Sequence, residues 1–476
     1  MSNTSKASQR ITALLDENSF VEIGAMVTAR ATDFNMKPND APSDGCLTGY
    51  GVIEGNPVYV YSQDVSVLNG TLGEMHAKKI ANLYDLAMKT GAPIIGLLDS
   101  AGLRLQEATD AMNAFGELYM KQTLASGVIP QITAVMGNCG GGLAVLTAMS
   151  DFTLMEEKNG KLFVNAPNTL EGNNTAKCDT AAADFQSKES GNADFTGDES
   201  AVIAKIRELV SFLPANNEDN ASYLTECTDD LNRVNPEIAG CVGDTSIAAS
   251  ILADDNAFLE VKAAYAKDMV TGFIRLNGAT VGVVANRSEI CEDGKPVEKF
   301  SGMLTKQGCR KAAEFVDFCD AFEIPVLTLT NVTGFEATKC NEKDIAKSAA
   351  KLTYAFANAT VPKVNVIIGK AFGTAYSVMN SKAIGADLTI AWPDAKIGTM
   401  DSKLAAKIMY EGQGAEVINE KAAEYEKLQL NATSAARRGY VDQIIEPGLT
   451  RKYVIGAFEM LFTKSEDQPA KKHGTV

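Results

Sequence analysis

The segment ALLDENSFVE at residues 13–22 returns as ILADDNAFLE at residues 251–260, and this repetition decides the fold. Residues 48–60 likewise return as residues 271–283, and each copy reads as a strand, a turn and a strand. A repeat of this length far exceeds the roughly 20–50 residues of a solenoid unit. The sequence therefore predicts two related domains in one chain.

Two pairs of prolines fix the register of the repeat. Pro93 and Pro325 each open an apolar run, as do Pro130 and Pro362, and both pairs lie 232 residues apart. The apolar runs alternate with helical patterns, which predicts βαβ crossovers and a largely parallel sheet in each domain. We place the domains at residues 1–235 and 236–476, with residues 216–235 as the linker between them.

Composition excludes several classes of protein. The 476 residues are 45% hydrophobic, enough for two globular cores. The net charge of −16, without a basic cluster, argues against nucleic acid as a partner. No apolar stretch reaches the ~20 residues of a membrane-spanning helix. The nine scattered cysteines and two histidines disfavour a metal site and indicate reduced thiols, so we expect a cytoplasmic protein.

Each half places a glycine-containing turn between a buried strand and a helix. These turns read GNCGGGL at residues 137–143 and GKAFGTA at residues 369–375, in the 232-residue register. Backbone N–H groups converging there, beside the amino end of a helix, would form an oxyanion hole. The alternative is that the glycines only let the helix pack closely on the sheet. Neither turn has the spacing of a phosphate loop or a dinucleotide fingerprint.

Histidine is too scarce for the usual acid–base catalysis. His473 lies in a charged tail, and His76 lies in a helical stretch without a nucleophile nearby, which indicates a structural or surface residue. The chemistry should then rely on backbone donors. Stabilising the enolate of a thioester fits, because one oxyanion-hole donor contributes about 3–4 kcal/mol.

Several motifs make the chain resemble the biotin-dependent acyl-CoA carboxyltransferases. This family includes the carboxyltransferase subunits of propionyl-CoA and acetyl-CoA carboxylases and the alpha subunit of methylmalonyl-CoA decarboxylase. The resemblance extends from about Gln9 to about Leu449. The motifs are TGYG at 48–51, SQD at 62–64, LGEMHAKK at 72–79, FCDAF at 318–322, GAD at 385–387 and AWP at 391–393.

The resemblance implies an α/β fold with two tandem crotonase-like (ClpP/crotonase) domains related by internal duplication. It implies transfer of a carboxyl group between biotin on a separate carrier chain and the α-carbon of a short acyl-CoA, such as propionyl-CoA or acetyl-CoA. Gly141 and Gly142 would hold the thioester enolate oxygen, and Thr374 and Ala375 the ureido oxygen of biotin. Such transfer requires neither a side-chain base nor a metal.

The resemblance also implies further site residues and partners. The acyl-CoA would be bound by Gly102, Arg104, Cys139, Gly140, Lys78 and Lys79. Of these, Arg104, Lys78 and Lys79 would contact the CoA phosphates. The alternative for these three cations is that they are solvated charges on helix surfaces. The biotin side would use Gly334, Phe335, Gly373 and Ser377. Partners would be a biotin carrier protein with biotin carboxylase, or membrane decarboxylase subunits. We expect a homo-oligomer, a hexamer, in which the first domain of one protomer faces the second domain of another.

The chain departs from the family pattern at both turns. Asn138, Gly140 and Leu143 replace the usual Pro, Ala and Ala. Thr374 replaces a glycine, and its β-branched side chain restricts the backbone there. An extra segment at residues 293–300 precedes Gly302. These differences concern the substrate more than the fold.

Two other functions fit the same residues. A different crotonase-type acyl-CoA hydratase or hydrolase would use the first turn alone, with a carboxylate such as Glu107 as its base. A non-catalytic assembly subunit would explain the substituted turn residues.

Overall fold

The computed structural model describes residues 5–30, 42–219 and 224–469. The chain divides into two compact units, Met1–Tyr223 and Leu224–Val476. The boundary lies before the predicted one because residues 224–235, predicted as linker, pack in the second unit. Thr225 N–H donates to the Gly278 carbonyl at 3.0 Å, and Asn235 N–H donates to the Gly448 carbonyl at 3.0 Å.

The first unit is built on one eight-stranded sheet. Its strands are β1 Val21–Glu22, β2 Cys46–Ile53, β3 Asn56–Gln63, β4 Ile94–Ser100, β5 Gln131–Gly140, β6 Phe152–Glu156, β7 Lys161–Phe163 and β8 Phe195–Gly197. Its helices are α1 Lys6–Leu14, α2 Glu74–Thr90, α3 Ala108–Ala125, α4 Gly142–Ala148, α5 Ala183–Phe185 and α6 Glu199–Phe212. The strand order is β1-β2-β3-β4-β5-β6-β8, antiparallel up to β3 and parallel from β3 onward, with β7 paired to the end of β5.

The second unit repeats this plan. Its strands are β9 Phe258–Val261, β10 Met269–Leu276, β11 Ala279–Asn286, β12 Glu289–Glu292, β13 Lys295–Lys299, β14 Val326–Val332, β15 Lys363–Phe372, β16 Leu388–Ala391, β17 Lys396–Gly398 and β18 Gln443–Ile444. Its helices are α7 Thr245–Leu252, α8 Lys306–Ala321, α9 Lys339–Glu342, α10 Ile345–Asn358, α11 Gly373–Ser377, α12 Ser402–Met409, α13 Ala415–Tyr425, α14 Ala432–Arg437 and α15 Thr450–Leu461. The main sheet runs β9-β10-β11-β14-β15-β16-β18, with β17 on β15, and β12–β13 is a separate hairpin.

The predicted register holds at the level of single hydrogen bonds. Ile94 N–H donates to the Pro130 carbonyl at 3.0 Å, and Val326 N–H donates to the Pro362 carbonyl at 2.9 Å. Both residues of the second pair lie 232 positions after those of the first. The prolines stand directly before β5 and β15, where a missing N–H does not interrupt the ladder. Duplication therefore extends to the hydrogen-bonding pattern of the parallel sheets.

The glycines at the start of the predicted turns belong to strands instead. β5 runs through Gly140 and β15 through Phe372. A Cβ on Gly137 would lie 2.0 Å from Asp99 Oδ1, and one on Gly369 would lie 2.6 Å from Asn331 Oδ1. The adjacent strand β4 has a β-bulge at Asp99, and β14 has one at Asn331. Glycine is thus required at both positions because the side chain at the bulge of the neighbouring strand occupies the space of a Cβ, and not because the chain turns there.

A buried lysine occupies the same register position in each unit. The ammonium group of Lys79 donates to the Ser43 carbonyl at 3.1 Å and to the Cys46 carbonyl. That of Lys311 donates to the carbonyls of Lys262 and Tyr265 at 2.8 and 2.9 Å. Burial lowers the pKa of Lys79 and lowers that of Lys311 to about 7. Lys79 therefore ties the segment at the start of β2 to α2, and Lys311 ties the loop before β10 to α8.

Lys311→Met is expected to change how stability depends on pH. The lysine pKa of about 7 in the folded chain lies below its ordinary value of 10.5, so the unfolded chain binds more protons between those values. The wild type should therefore gain stability relative to Lys311→Met as pH rises from about 7 to 10.5, by at most about 1.4 kcal/mol per pH unit. Urea unfolding of both proteins across that range measures the difference. A difference that stays constant with pH would contradict the expectation.

Among the residues that the structure describes, every helix is too short or too polar to cross a lipid bilayer.

Candidate active site

The two turns that follow β5 and β15 share one backbone conformation. Gly141 has φ +62°, and Gly373, 232 residues later, has φ +61°. This left-handed conformation favours glycine, and it redirects the chain from the strand into α4 or α11. The predicted glycine requirement is therefore met at these two positions. By the same register Gly142 corresponds to Thr374. The predicted pairs of amide donors, Gly141 with Gly142 and Thr374 with Ala375, therefore differ by one position in register.

One predicted donor is already used within the fold. Gly141 N–H donates to the Phe163 carbonyl on β7 at 2.9 Å, so it does not face a substrate. Gly142 is the first residue of α4, where an N–H group has no intrahelical acceptor. Thr374 is in the equivalent first turn of α11. The amides of Gly142 and Thr374 are consequently the matched donors of the two turns.

A second amide in each unit was missed by sequence reasoning. Leu72 N–H donates to the Gly102 carbonyl at 2.9 Å, and Arg104 N–H donates to the Leu72 carbonyl at 3.0 Å. In such a parallel bridge the residue between the two partners, Leu103, directs its own N–H to the other side. A Cβ on Gly102 would lie 3.7 Å from the Gly140 carbonyl oxygen, so the loop after β4 adjoins the end of β5.

The second unit repeats this bridge. Leu304 N–H donates to the Gly334 carbonyl at 2.9 Å, and Glu336 N–H donates to the Leu304 carbonyl at 3.0 Å. Phe335 is then the counterpart of Leu103. In the sequence only the preceding glycines, Gly102 and Gly334, marked these loops, since each follows a strand at the same register position. Both glycines have positive φ values in the structure, +99° and +155°.

The helices that follow the turns contribute less than the sequence predicted. α4 has seven residues and α11 has five. A macrodipole is the sum of aligned peptide dipoles, so helices this short add little field. The chemistry at each turn depends on individual amide donors.

Arg104 is not available to CoA phosphates, contrary to the prediction. The guanidinium is fully buried and pairs with Asp44 Oδ1 at 2.5 Å and Glu107 Oε1 at 2.8 Å. It also donates to the Thr71 carbonyl at 2.6 Å. Burial raises the pKa of Asp44, and the charge and hydrogen bond of Arg104 oppose that rise. The ion triad is a structural element beneath the Gly102 loop.

The two predicted phosphate-binding lysines differ in exposure. Lys79 is buried and bonded to carbonyl oxygens, so it is corrected to a structural residue. Lys78 is half-exposed and pairs with Glu74 at 2.7 Å across one helical turn. Of the three predicted cations, only Lys78 keeps access to a ligand.

His76 and Glu107 have structural partners as well. The His76 ring is fully buried, with Nδ1 donating to the Asp44 carbonyl at 2.9 Å and Nε2 accepting from Gln63 at 3.2 Å. Burial lowers the pKa of His76 to about 3, so the ring is neutral. Glu107 accepts from Glu74 N–H at 2.6 Å as well as from Arg104. This occupation of both carboxylate oxygens weighs against Glu107 as the base of a hydratase.

Comparison with known proteins identifies the family. The sequence model of the protein family described as 'Carboxyl transferase domain' matches residues 3–476. The chain belongs to the carboxyltransferase family. The propionyl-CoA carboxylase beta chain of Roseobacter denitrificans is 41% identical, and the match covers 99% of this chain and 93% of that one. The methylmalonyl-CoA decarboxylase subunit alpha of Propionigenium modestum is 39% identical, over 99% and 92% of the two chains.

Solved structures agree with that assignment. This carboxyltransferase superposes on one chain of the transcarboxylase 12S structure with hydrolysed methylmalonyl-coenzyme A bound, which is described as a hexamer assembly. The TM-score is 0.92, with 36% identity over 98% of this chain and 92% of that one. The predicted α/β fold of tandem duplicated crotonase-like domains is confirmed.

The remaining predicted residues lie around the two turns of this carboxyltransferase. The Cys139 side chain is fully buried with its sulfur 3.2 Å from Thr147 Oγ1, and burial raises its pKa to about 12, so the thiol is a core group and does not contact a ligand. Gly140 lies at the end of β5. Ser377 ends α11, half-buried, and its carbonyl accepts from Ser381 at 2.9 Å. Within residues 5–30, 42–219 and 224–469, no group of three metal-ligating side chains occurs.

Proposed function

We propose that this chain is the carboxyltransferase component that moves a carboxyl group between biotin and the α-carbon of a short acyl-CoA. The observation that carries the proposal is the matched pair of turns, one in each unit, in which the amides of Gly142 and Thr374 have no intrahelical acceptor. The names of the relatives support propionyl-CoA or methylmalonyl-CoA as the substrate, and acetyl-CoA or malonyl-CoA is the alternative.

We assign the acyl-CoA to the first unit. The amides of Gly142 and Leu103 come from adjoining loops and would donate to the thioester oxygen as it becomes an enolate. They are fixed by the sheet before the reaction begins, so they favour charge that develops in the transition state. A family motif that usually reads SGGARIQE appears here as SAGLRLQE at residues 100–107, and the bulkier Ala101 and Leu103 would narrow the acyl pocket. The exposed Lys78 is the remaining candidate for a CoA phosphate.

We assign biotin to the second unit, where the amides of Thr374 and Phe335 repeat the arrangement. These donors suit the ureido oxygen of biotin, because a neutral amide donor matches an oxygen that gains negative charge when the adjacent nitrogen loses the carboxyl group. Biotin supplies the nitrogen that carries the carboxyl group and takes up the α-proton. One N–C bond breaks, one C–C bond forms, and the α-proton moves to nitrogen, with the reverse in a decarboxylase.

We further propose the assembly and the compartment. The chain would work with a biotin carrier protein and biotin carboxylase, or with membrane decarboxylase subunits, as a homo-hexamer in which units of different protomers share a site. All nine cysteines are unpaired, which suits the reducing cytoplasm.

Carboxyl transfer from methylmalonyl-CoA to free biotin tests this function directly. With [carboxyl-¹⁴C]methylmalonyl-CoA and millimolar biotin, the purified chain is expected to produce labelled carboxybiotin and propionyl-CoA in equal amounts. Malonyl-CoA in the same assay identifies the acyl preference. Propionyl-CoA formation without labelled biotin would indicate a hydrolytic or decarboxylating enzyme of another kind, and no reaction with either thioester would contradict the proposal.

A further inference from the structure

The connection after β11 differs in length from its counterpart in the first unit. Thr48 and Thr271 lie 223 residues apart, whereas Leu72 and Leu304 lie 232 apart, so the second copy contains nine additional residues between these points. In the first unit, residues 64–71 join β3 to the loop before α2. In the second, residues 287–303 form the hairpin of β12 and β13. The second unit therefore contains a hairpin at a position where the first unit has a short loop.

The hairpin lies at the rim of the second turn. β11 is parallel to β14, and β14 to β15, so their carboxyl ends share one edge of the sheet, where the Gly373 turn begins. The chain leaving the hairpin is bonded to the loop after β14. Thr333 donates to the Gly302 carbonyl through its N–H at 2.9 Å and through its hydroxyl at 3.0 Å. The next bond, from Leu304 N–H to the Gly334 carbonyl, places Phe335.

The base of the hairpin is fixed to the unit. Ser288 and Glu289 N–H groups donate to the Gly243 carbonyl at 2.9 and 3.1 Å. Cys291 N–H donates to Asp244 Oδ2 at 2.8 Å. Lys267 pairs with Glu298 at 2.8 Å. A hairpin anchored on both strands presents its outer surface in one orientation, which favours a recognition role over a mobile lid.

The outer strand exposes an apolar residue between two cations. All five residues of β13 are exposed, and Val297 is 57% exposed. Val297 is the extra residue of a β-bulge, because Ile290 pairs with Glu298 while Cys291 pairs with Pro296. Bulges redirect side chains and are common beside active sites. Lys295 and Lys299 flank it two residues away on each side. Of the four carboxylates in the hairpin, Glu298 pairs with Lys267, and Glu289, Glu292 and Asp293 lie on β12 and in the turn.

The strand edge itself is unsuited to adding another strand. Pro296 lacks an N–H group, and lysines on an edge oppose strand pairing. Recognition would therefore use side chains. An apolar residue flanked by two ammonium groups complements a surface that combines acidic and apolar side chains, since opposite charges guide encounter and fix orientation.

We propose that the hairpin Glu289–Lys299 is the docking element for the carrier domain that delivers biotin, with Val297, Lys295 and Lys299 contacting an acidic and apolar surface beside its biotinyl-lysine. The inference rests on the proposed function, because a carrier must approach the second turn for biotin to reach Thr374. The hairpin belongs to that unit alone, and the chain leaving it is hydrogen-bonded at Gly302 to the loop that bears Phe335.

Three biotinylated peptides of one length test the docking element with the full-length chain. Their biotinyl-lysine is flanked by glutamates, serines or lysines. In wild type, kcat/KM for carboxylation from methylmalonyl-CoA is expected to be about tenfold higher for the glutamate peptide than for the serine peptide. The Lys295→Glu/Lys299→Glu double variant should reverse that order while its activity with free biotin stays within twofold of wild type.

Two controls separate docking from folding and from general charge. Lys177→Glu/Lys188→Glu places the same change of charge on exposed positions of the first unit and should keep the wild-type order. Val297→Ser removes only the apolar contact and should lower kcat/KM for all three peptides about threefold. The proposal is overturned if the Lys295→Glu/Lys299→Glu variant still has a higher kcat/KM for the glutamate peptide than for the serine peptide. It is also overturned if wild type has the same kcat/KM for all three peptides.

Binding of the same peptides, measured by fluorescence anisotropy without an acyl-CoA, makes the outcome independent of catalysis. If wild type fails to carboxylate free biotin yet binds the glutamate peptide through Lys295 and Lys299, the proposed function fails and docking stands. If it carboxylates free biotin but does not distinguish the peptides in binding, docking fails and the function stands.

Discussion

Thr374→Pro is expected to lower kcat for carboxyl transfer to biotin by about 10²–10³-fold, the effect of losing one oxyanion-hole donor. Proline removes the Thr374 N–H and is tolerated in the first turn of a helix, where that N–H has no intrahelical acceptor. The exposed side chain makes no hydrogen bond that the fold requires among the described residues. The loss should therefore appear in catalysis and leave the unfolding temperature close to that of wild type.

Thr374→Ala and Thr374→Ser are the matched controls, because both keep the amide. They should retain activity within about threefold of wild type, which separates the backbone donor from the hydroxyl. If Thr374→Pro and Thr374→Ala lose the same activity, the side chain and not the amide acts at the site. If all three variants remain fully active, the second turn has no part in the reaction, as a hydratase that uses the first unit alone would require.

The fold could be predicted because its signals are local or repeated. Pro130 and Pro362 each precede an apolar run, and a proline before a buried strand has few other structural explanations. The lengths of β5 and β15 could not be predicted, since Gly137 and Gly369 resemble turn residues in sequence. Their role depends on Asp99 and Asn331 across the sheet, and single-sequence patterns do not report such contacts.

The sequence predicted where the site lies, but it did not predict which atoms act there. Glycine-containing turns in register identified Gly142 and Thr374. The Gly141 N–H, however, donates to the carbonyl of Phe163, a contact that the sequence pattern does not show. The amides of Leu103 and Phe335 were missed because a backbone donor has no residue signature. The cation at position 104 was interpreted as a phosphate ligand because Asp44, its buried partner, lies 60 residues away.

Arg104→Met is expected to lower the free energy of unfolding of the first unit by about 3–5 kcal/mol, because it leaves the buried carboxylates of Asp44 and Glu107 without their cation. Arg104→Lys should recover little of this loss. One ammonium group cannot reproduce a guanidinium that meets Asp44 and Glu107 while donating to the Thr71 carbonyl. The midpoint of urea unfolding measures both variants.

Lys78→Met is the matched control, since the exposed Lys78–Glu74 pair contributes at most about 1 kcal/mol. The two substitutions also distinguish structure from binding. A role for Arg104 at the CoA phosphates would raise KM for the acyl-CoA while leaving the unfolding midpoint unchanged. The structural role predicts the reverse for Arg104→Met: a large shift of the midpoint, and a loss of activity that follows the loss of folded protein. Because the triad lies under the Gly102 loop, which places Leu103, the folded fraction should also show a reduced kcat, whereas Lys78→Met should change only KM.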